Sequence, residues 1–316
     1  MPSATIFGGA GFIGSNIGRE LVNSGWRVTV VDGLMDRTTG DRENLIRLGV
    51  DAELIARPVE TLENLNALIE GRDLVVDAMG WTRHLDAIRD PAHDLALNVA
   101  SHLPVIRACS EVKPARVVYL GSRHQYGKTA VREITEATPV APVDPQGIHK
   151  TAAEQHWIIA ARDNFSLASL RFGNTFGPNQ PVGEGDAGLI GGFIRDALQG
   201  KVIKIFGGER VRNVLFAPDL ARAVVRFGGI QPVETGVFNI AGTDVSIGLL
   251  ALTIVTAAGS GRIVEEPMPE HIARIDIGEA LFNGLKFEAL VGKISATPVE
   301  DALRMSVDDA RQRISR

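Results

Sequence analysis

Residues 4–14 read ATIFGGAGFIG: a short β-branched run breaks into glycines at Gly8, Gly11 and Gly14, where a helix starting near Phe12 is predicted. Glycines so placed allow a tight turn, close approach of backbone to a phosphate and close packing of helix on strand, while the helix start offers unpaired N–H groups and a positive dipole end. Such a triplet alone says little. Here a second apolar run, RVTVVD (27–32), follows and ends on Asp32, 18 residues after Gly14. A carboxylate at that position accepts hydrogen bonds from both hydroxyls of an adenosine ribose and repels a 2′-phosphate, so the opening is expected to hold NAD rather than NADP.

The same alternation continues outward. AELIA (52–56), DLVVDAM (73–79) and RVVYLGS (116–122) read as strands, with helix-like segments at 14–24, 61–70, 92–111 and 147–163 between the runs. Strands alternating with helices predict parallel pairing through crossover helices, hence an α/β, doubly wound Rossmann sheet, and near-continuous apolar strands fit a sheet covered on both faces. After about Leu170 the pattern loosens through GPNQPVGEGDAGLIGG, where a smaller C-terminal substrate-binding lobe is expected to begin. The expected division is residues 1–171 plus about 211–245 for the NAD-binding domain, and about 172–210 plus 246–316 for the lobe.

Composition sets the outer bounds. A chain of 316 residues, 45% hydrophobic and 22% charged, with a net charge of −5 and no block of like charges, carries no footprint for nucleic acid or an anionic membrane, which points to small-molecule partners. The single cysteine, Cys109, excludes an intrachain disulfide, reads as a buried apolar residue and suits a reducing cytoplasm. No basic and apolar leader precedes the first strand, and the longest apolar run, IGLLALTIVTAAG (247–259), is too short to span a bilayer and reads as a buried helix.

Several segments together resemble the extended short-chain dehydrogenase/reductase family, the nucleotide-sugar epimerases and dehydratases. The glycines fit its GxxGxxG spacing, VDGLMDRTTGDRENL resembles its loop after the ribose-binding acid, and RDPAHDLALNV resembles its DPxxDxxxN helix, making Asn98 the helix-kinking asparagine. The resemblance adds Phe12, Ile13 and Ala78 to the cofactor contacts. VVYLGSRHQYG looks like the strand and turn presenting the catalytic serine, here Ser122, and LRFGNTFGPNQ places Asn174 at the nucleotide diphosphate. GKVIKIFGGERVRNVLFAPDLARAV places Arg212 as the diphosphate-binding arginine, and RIDIGEALFNG offers Arg274 as a further contact. The partner implied is a nucleotide-diphosphate sugar. The helices near 92–111 and 147–163 correspond to the dimer interface of many relatives, so a homodimer is expected, with Trp157 either an interface anchor or a core aromatic.

One position departs from the family. Its YxxxK helix carries an acid/base tyrosine and a lysine that holds the nicotinamide ribose. Here DPQGIHK (144–150) keeps Lys150 but has Gln146 in place of the tyrosine, and neither Tyr119 nor Tyr126 has a lysine four residues on. Spacing of four puts Gln146 and Lys150 on one helix face, yet an amide cannot transfer a proton near neutral pH. Arg123 and His124 stand where dehydratases of the family carry Asp and Glu facing substrate. A histidine titrates in the right range, and the adjacent arginine should favour its neutral form, so His124 is a candidate acid/base, with a histidine that is solvated or only hydrogen-bonded behind the site as the equal alternative. Tyr126 is a weaker candidate and His149 reads as structural. The other histidines, His84, His93, His102, His156 and His271, show no metal-ligand spacing, and no metal is expected.

The resemblance implies hydride transfer at a sugar carbon, most directly NAD-dependent 4-epimerisation, with Ser122 on the reacting oxygen. Ketone reduction also fits; dehydration is less favoured without the Asp-Glu pair. A cofactor-binding protein without turnover, or an engineered Tyr-to-Gln change, are the competing readings.

Overall fold

The apolar runs become the strands Ser3–Phe7, Arg27–Asp32, Glu53–Ala56, Leu74–Asp77 and Arg116–Leu120 of the computed structural model, which describes residues 1–183, 187–231 and 234–314, leaving aside the side chains of His271 and Ile275. They join Ser166–Phe172 and Gly236–Ile240 in one sheet, ordered Gly236–Ile240, Ser166–Phe172, Arg116–Leu120, Leu74–Asp77, Ser3–Phe7, Arg27–Asp32, Glu53–Ala56. Every neighbouring pair is parallel. The order reverses between Ser3–Phe7 and Leu74–Asp77, and in such sheets ligands bind in the crevice beyond the carboxyl ends of the strands at that switch.

Alternate strand residues serve opposite faces. Ile6, Val30, Val76 and Val118 pack with Ile17, Leu21, Leu220, Val224 and Phe227 from the helices Phe12–Asn23 and Ala217–Gly229. Phe7, Val31, Val75 and Val117 pack on the other face with Val105, Cys109, Ala153 and Trp157 from His102–Val112 and Pro145–Ala161. Both faces are therefore dry, as the unbroken apolar strands require. Trp157 is fully buried and donates from Nε1 to Asp77 Oδ2 at 2.9 Å, which makes it a core residue and removes it as an interface anchor.

Local chemistry explains where helices depart from expectation. The segment predicted at 92–111 is interrupted by a π turn at Ala96–Ala100. There Asn98 turns inward, donating to Trp81 O and Asp94 Oδ1 and accepting from Trp81 N, each within 2.7–2.9 Å, as its kinking role anticipates. The helix predicted at 147–163 starts at Pro145, because Asp144 caps it by accepting from Gly147 N at 2.7 Å and proline suits the first helical position. Helix Ile247–Ala258 buries Ile247, Leu250, Ala251 and Ile254 but exposes Leu249 and Leu252, so it is covered on one side, not all round.

A second core forms where Phe193, Ile194, Ile254, Leu303 and Val307 meet. The stretch 211–245, expected wholly in the cofactor domain, divides. Val211–Phe216 pairs with Asn174–Phe176 and Thr243–Ser246 in a separate three-stranded sheet, because Gly236–Ile240 occupies the slot beside Ser166–Phe172. Conversely Phe287, from the expected lobe, packs against Phe238 in the main core. No helix among the described residues is long and apolar enough to cross a membrane.

Candidate active site

A cavity of about 850 Å³ lies beyond the strand ends, lined by the glycine loop, Ser122, Lys150, Asn174 and Arg212. At its cofactor end the glycines are required sterically. A Cβ on Gly14 would sit 2.2 Å from Gly8 O, and one on Gly8, at φ +74°, would sit 2.8 Å from the Ala78 carbonyl. The helix Phe12–Asn23 has no side-chain cap of its own, and only Phe12 N finds a side-chain acceptor, Thr39 Oγ1 at 3.2 Å. Ser15 N already bonds Gly11 O at 3.0 Å, and the N–H groups of Ile13 and Gly14, with no acceptor among the described residues, are left for an anion. Asp32 accepts from Ala10 N at 3.0 Å and Leu34 N at 2.9 Å and borders a side pocket with Gly8, Gly33, Val59 and Ala78. Burial raises its carboxyl pKa against these backbone hydrogen bonds. This close glycine turn, open helix start and pocketed carboxylate fit the pyrophosphate and adenosine ribose of NAD.

Lys150 Nζ donates to Met79 O at 3.0 Å and Leu120 O at 3.1 Å, bridging two strand ends. An ammonium has three donors, so one remains for a ribose hydroxyl. Burial lowers its pKa to about 8, opposed by the charges of Asp77 and Asp94. Gly80 lets this happen: a Cβ there would meet Lys150 Nζ at 2.8 Å.

Beyond the lysine, the serine turn is tightly tied. Ser122 Oγ accepts from His124 N at 3.2 Å while Gln125 Oε1 accepts from Ser122 N at 2.8 Å. Gln146 is 1% exposed, lines the cavity and leaves Oε1 buried without a partner. His124 lines it too, with Nδ1 2.8 Å from Asp144 Oδ2. The fold also brings in His84, whose Nδ1 lies 3.0 Å from the same oxygen and whose ring stacks on His124 at 3.8 Å. His84, set aside on spacing, and Asp144, given no role in the sequence reading, thus meet His124 beside the cavity; no linear signal joins positions 84, 124 and 144. Burial is the main cause that lowers the His124 pKa, to about 3, followed by His84; Arg123, expected to be the cause, contributes less. Burial works against the charge on Asp144, but hydrogen bonds from both histidines hold its pKa below the ordinary carboxylate range.

Across the cavity, Arg210 and Arg212 share Asp276, at 2.7 Å and 2.9 Å. Arg123 lines the cavity beside this group, and its guanidinium makes no hydrogen bond or ion pair among the described residues; burial and then Arg212 lower its pKa to about 10. Asn174 lines the same wall with Oδ1 buried and unpartnered. Arg274 does not join them: it is exposed and pairs with Glu270 at 2.6 Å, one helical turn away, while Asp276 faces inward instead. Tyr126 is fully buried and donates to Asn239 Oδ1 at 2.8 Å, away from the cavity, which removes it as a proton donor there. His149 lies 2.5 Å from Asp94, a structural tie. The side chain of His271 lies outside the described residues.

The sequence model of the NAD dependent epimerase/dehydratase family matches residues 4–241. The chain is 28% identical over 264 residues to a UDP-glucose 4-epimerase of Mycolicibacterium smegmatis, covering 81% of this chain and 82% of the relative. It is 27% identical over 223 residues to a putative UDP-glucose 4-epimerase of Methanocaldococcus jannaschii, covering 69% and 70%. The crystal structure of UDP-glucose 4-epimerase with UDP-glucose from Thermotoga maritima superposes with a TM-score of 0.86 at 25% identity over 99% of both chains.

Proposed function

This chain belongs to the NAD dependent epimerase/dehydratase family, and from that premise we propose that it is an NAD-dependent nucleotide-sugar 4-epimerase. The observation that carries the reading is the continuity of one cavity from the glycine loop past Lys150 and Ser122 to Asn174 and Arg212. NAD, when bound, supplies the hydride acceptor and donor. Gly8, Gly11, Phe12, Ile13, Gly14, Asp32 and Ala78 would hold it, with Lys150 on the nicotinamide ribose. Asn174, Arg123 and Arg212 would bind the nucleotide sugar, Ser122 would hydrogen-bond the reacting oxygen, and His124 would carry its proton. Gln146, with an unpartnered acceptor, would take a hydrogen bond from a sugar or ribose hydroxyl. UDP is favoured as the nucleotide because UDP-sugar 4-epimerases recur among the relatives.

Incubation with NAD and UDP-glucose or UDP-galactose, followed by chromatography, should give an equilibrium mixture of the two. A stoichiometric change at 340 nm with a single oxidised or reduced product would favour net redox chemistry; NAD binding with no conversion of any nucleotide sugar would leave a binding protein. We further propose a cytoplasmic homodimer, consistent with the free, buried Cys109 and with Leu95, Leu103, Ile148 and Ile159, each at least 40% exposed on helical segments near 91–112 and 145–161. Light scattering should give twice the chain mass, and Ile159→Glu should reduce it to one.

A further inference from the structure

We propose that His84, Asp144 and His124 form one proton-transfer unit in place of the absent tyrosine, with His124 as the catalytic residue and Asp144 and His84 as positioning residues. The inference rests on the epimerase reading and adds what that reading lacks, a way to orient a histidine in a dry site and offset the charge it takes up.

The geometry fixes the protons. Asp144 has a fully buried side chain and ends both of its oxygens in the protein: Oδ1 accepts from Gly147 N, and Oδ2 faces the two imidazole Nδ1 atoms at 2.8 Å and 3.0 Å. A carboxylate oxygen only accepts, so both rings present Nδ1–H to it, and the neutral His124 ring therefore carries its lone pair on Nε2, the edge away from Asp144. That ring lines the cavity within the turn headed by Ser122. Packing holds it there: a Cβ on Gly147 would lie 2.5 Å from His124 O, so the serine turn sits directly against the start of helix Pro145–Ala161.

The chemistry then balances. With NAD bound as hydride acceptor and donor, His124 Nε2 would take the proton of the reacting hydroxyl as the same carbon gives up its hydride to leave a carbonyl, and would return the proton when that carbonyl is reduced. The imidazolium formed on His124 is offset by the Asp144 carboxylate next to it. His84, 21% exposed against 8% for His124, stands at the outer side of the pair. Two rings 3.8 Å apart on one carboxylate cannot both be charged cheaply, so the group accommodates one positive charge at a time. The charged groups acting on His124 are His84, Asp144 and Arg123. A bound metal is the other use of such a trio, but each Nδ1 lobe is already directed at Oδ2 at hydrogen-bond distance, so a cation would have to displace that oxygen.

The test compares wild type with His124→Ala, His124→Ala/Gln146→Tyr, Asp144→Asn and His84→Asn. His124→Ala should lower kcat by about 10²-fold or more with KM and NAD affinity within about twofold, and the added tyrosine should restore at least a tenth of the wild-type rate. Asn is as good a helix cap as Asp, so Asp144→Asn should keep the helix start and NAD affinity while losing most of kcat. The acidic limb of the kcat–pH profile should move down with Asp144→Asn, which removes the stabilising anion, and His84→Asn, which removes the ring packed on His124, should lower kcat by less than Asp144→Asn does. Independently of turnover, ¹⁵N NMR should find His124 as the neutral Nδ1–H tautomer between pH 6 and 8. Turnover that survives His124→Ala, or an Nε2–H tautomer, overturns the proton-transfer unit alone. So does a stoichiometric divalent metal whose chelation abolishes activity. A wild type that binds NAD but converts no nucleotide sugar overturns the epimerase reading and this inference with it.

Discussion

The two ends of the cavity are assembled in different ways. At the cofactor end, Gly8, Gly11, Gly14 and Asp32 come from one continuous strand–helix–strand stretch, and each is needed for a reason visible locally: close backbone contact or a carboxylate at a strand end. At the proton-transfer end, His84, His124 and Asp144 come from three separate segments and acquire their roles only through a shared carboxylate oxygen. Binding and proton transfer are therefore separable, and substitutions should sort by the end they touch.

The largest effect is expected at the glycine turn. Gly14→Val puts a side chain into Gly8 O, which a Cβ would already approach to 2.2 Å; overpacking of that kind costs about 3 kcal/mol or more, and NAD affinity measured by calorimetry should fall by about 10²-fold. If Gly14→Val binds NAD normally, the cofactor end is not where the glycines are. Next, Lys150→Met should cost about 10- to 10²-fold in kcat/KM through loss of a charge-assisted hydrogen bond of about 1.5–3 kcal/mol, with the His124 tautomer unchanged. A tautomer that changes with Lys150 would join the two ends into one unit. Asp32→Ser should weaken NAD by about tenfold and narrow the preference over NADP, without moving the pH profile of kcat.

The smallest effect is on stability. His124 is held neutral down to about pH 3 in the folded chain, whereas in the unfolded chain it takes up a proton near the ordinary value of about 6.5. Its folded pKa is depressed, so the unfolded state binds more protons between these limits and stability falls as pH drops through that window, by at most about 1.4 kcal/mol per pH unit. His124→Gln should flatten the fall in Tm between pH 7 and pH 5; an unchanged slope would mean that His124 is not held neutral by burial.

Much of the fold could be read from the chain, because its strands are apolar on both faces and separated by helices, a pattern that leaves few topologies. The lobe was harder to divide. Val211–Phe216 reads as another apolar strand, and only the pairing of Gly236–Ile240 with Ser166–Phe172 shows that the main sheet has no place for it. In the site, Gly14, Ser122 and Lys150, each set by a local turn or helix, line one cavity. Arg274 does not, because a helix from Glu270 to Ile275 turns it to solvent and leaves Asp276 to face Arg210 and Arg212. His124 was legible as a position but not as a partner. What it pairs with depends on His84, 40 residues earlier in the chain, and on a cap residue whose second oxygen had no assigned use.

The most direct test of hydride chemistry without the tyrosine uses a UDP-sugar carrying deuterium at C4, incubated with the protein and NAD in ordinary water. The expected product is the 4-epimer with deuterium still on C4, because hydride leaves and returns without exchanging with solvent, while His124 handles only the hydroxyl proton. Loss of the label to water during epimerisation, or no epimer at all from protein that binds NAD, would contradict it.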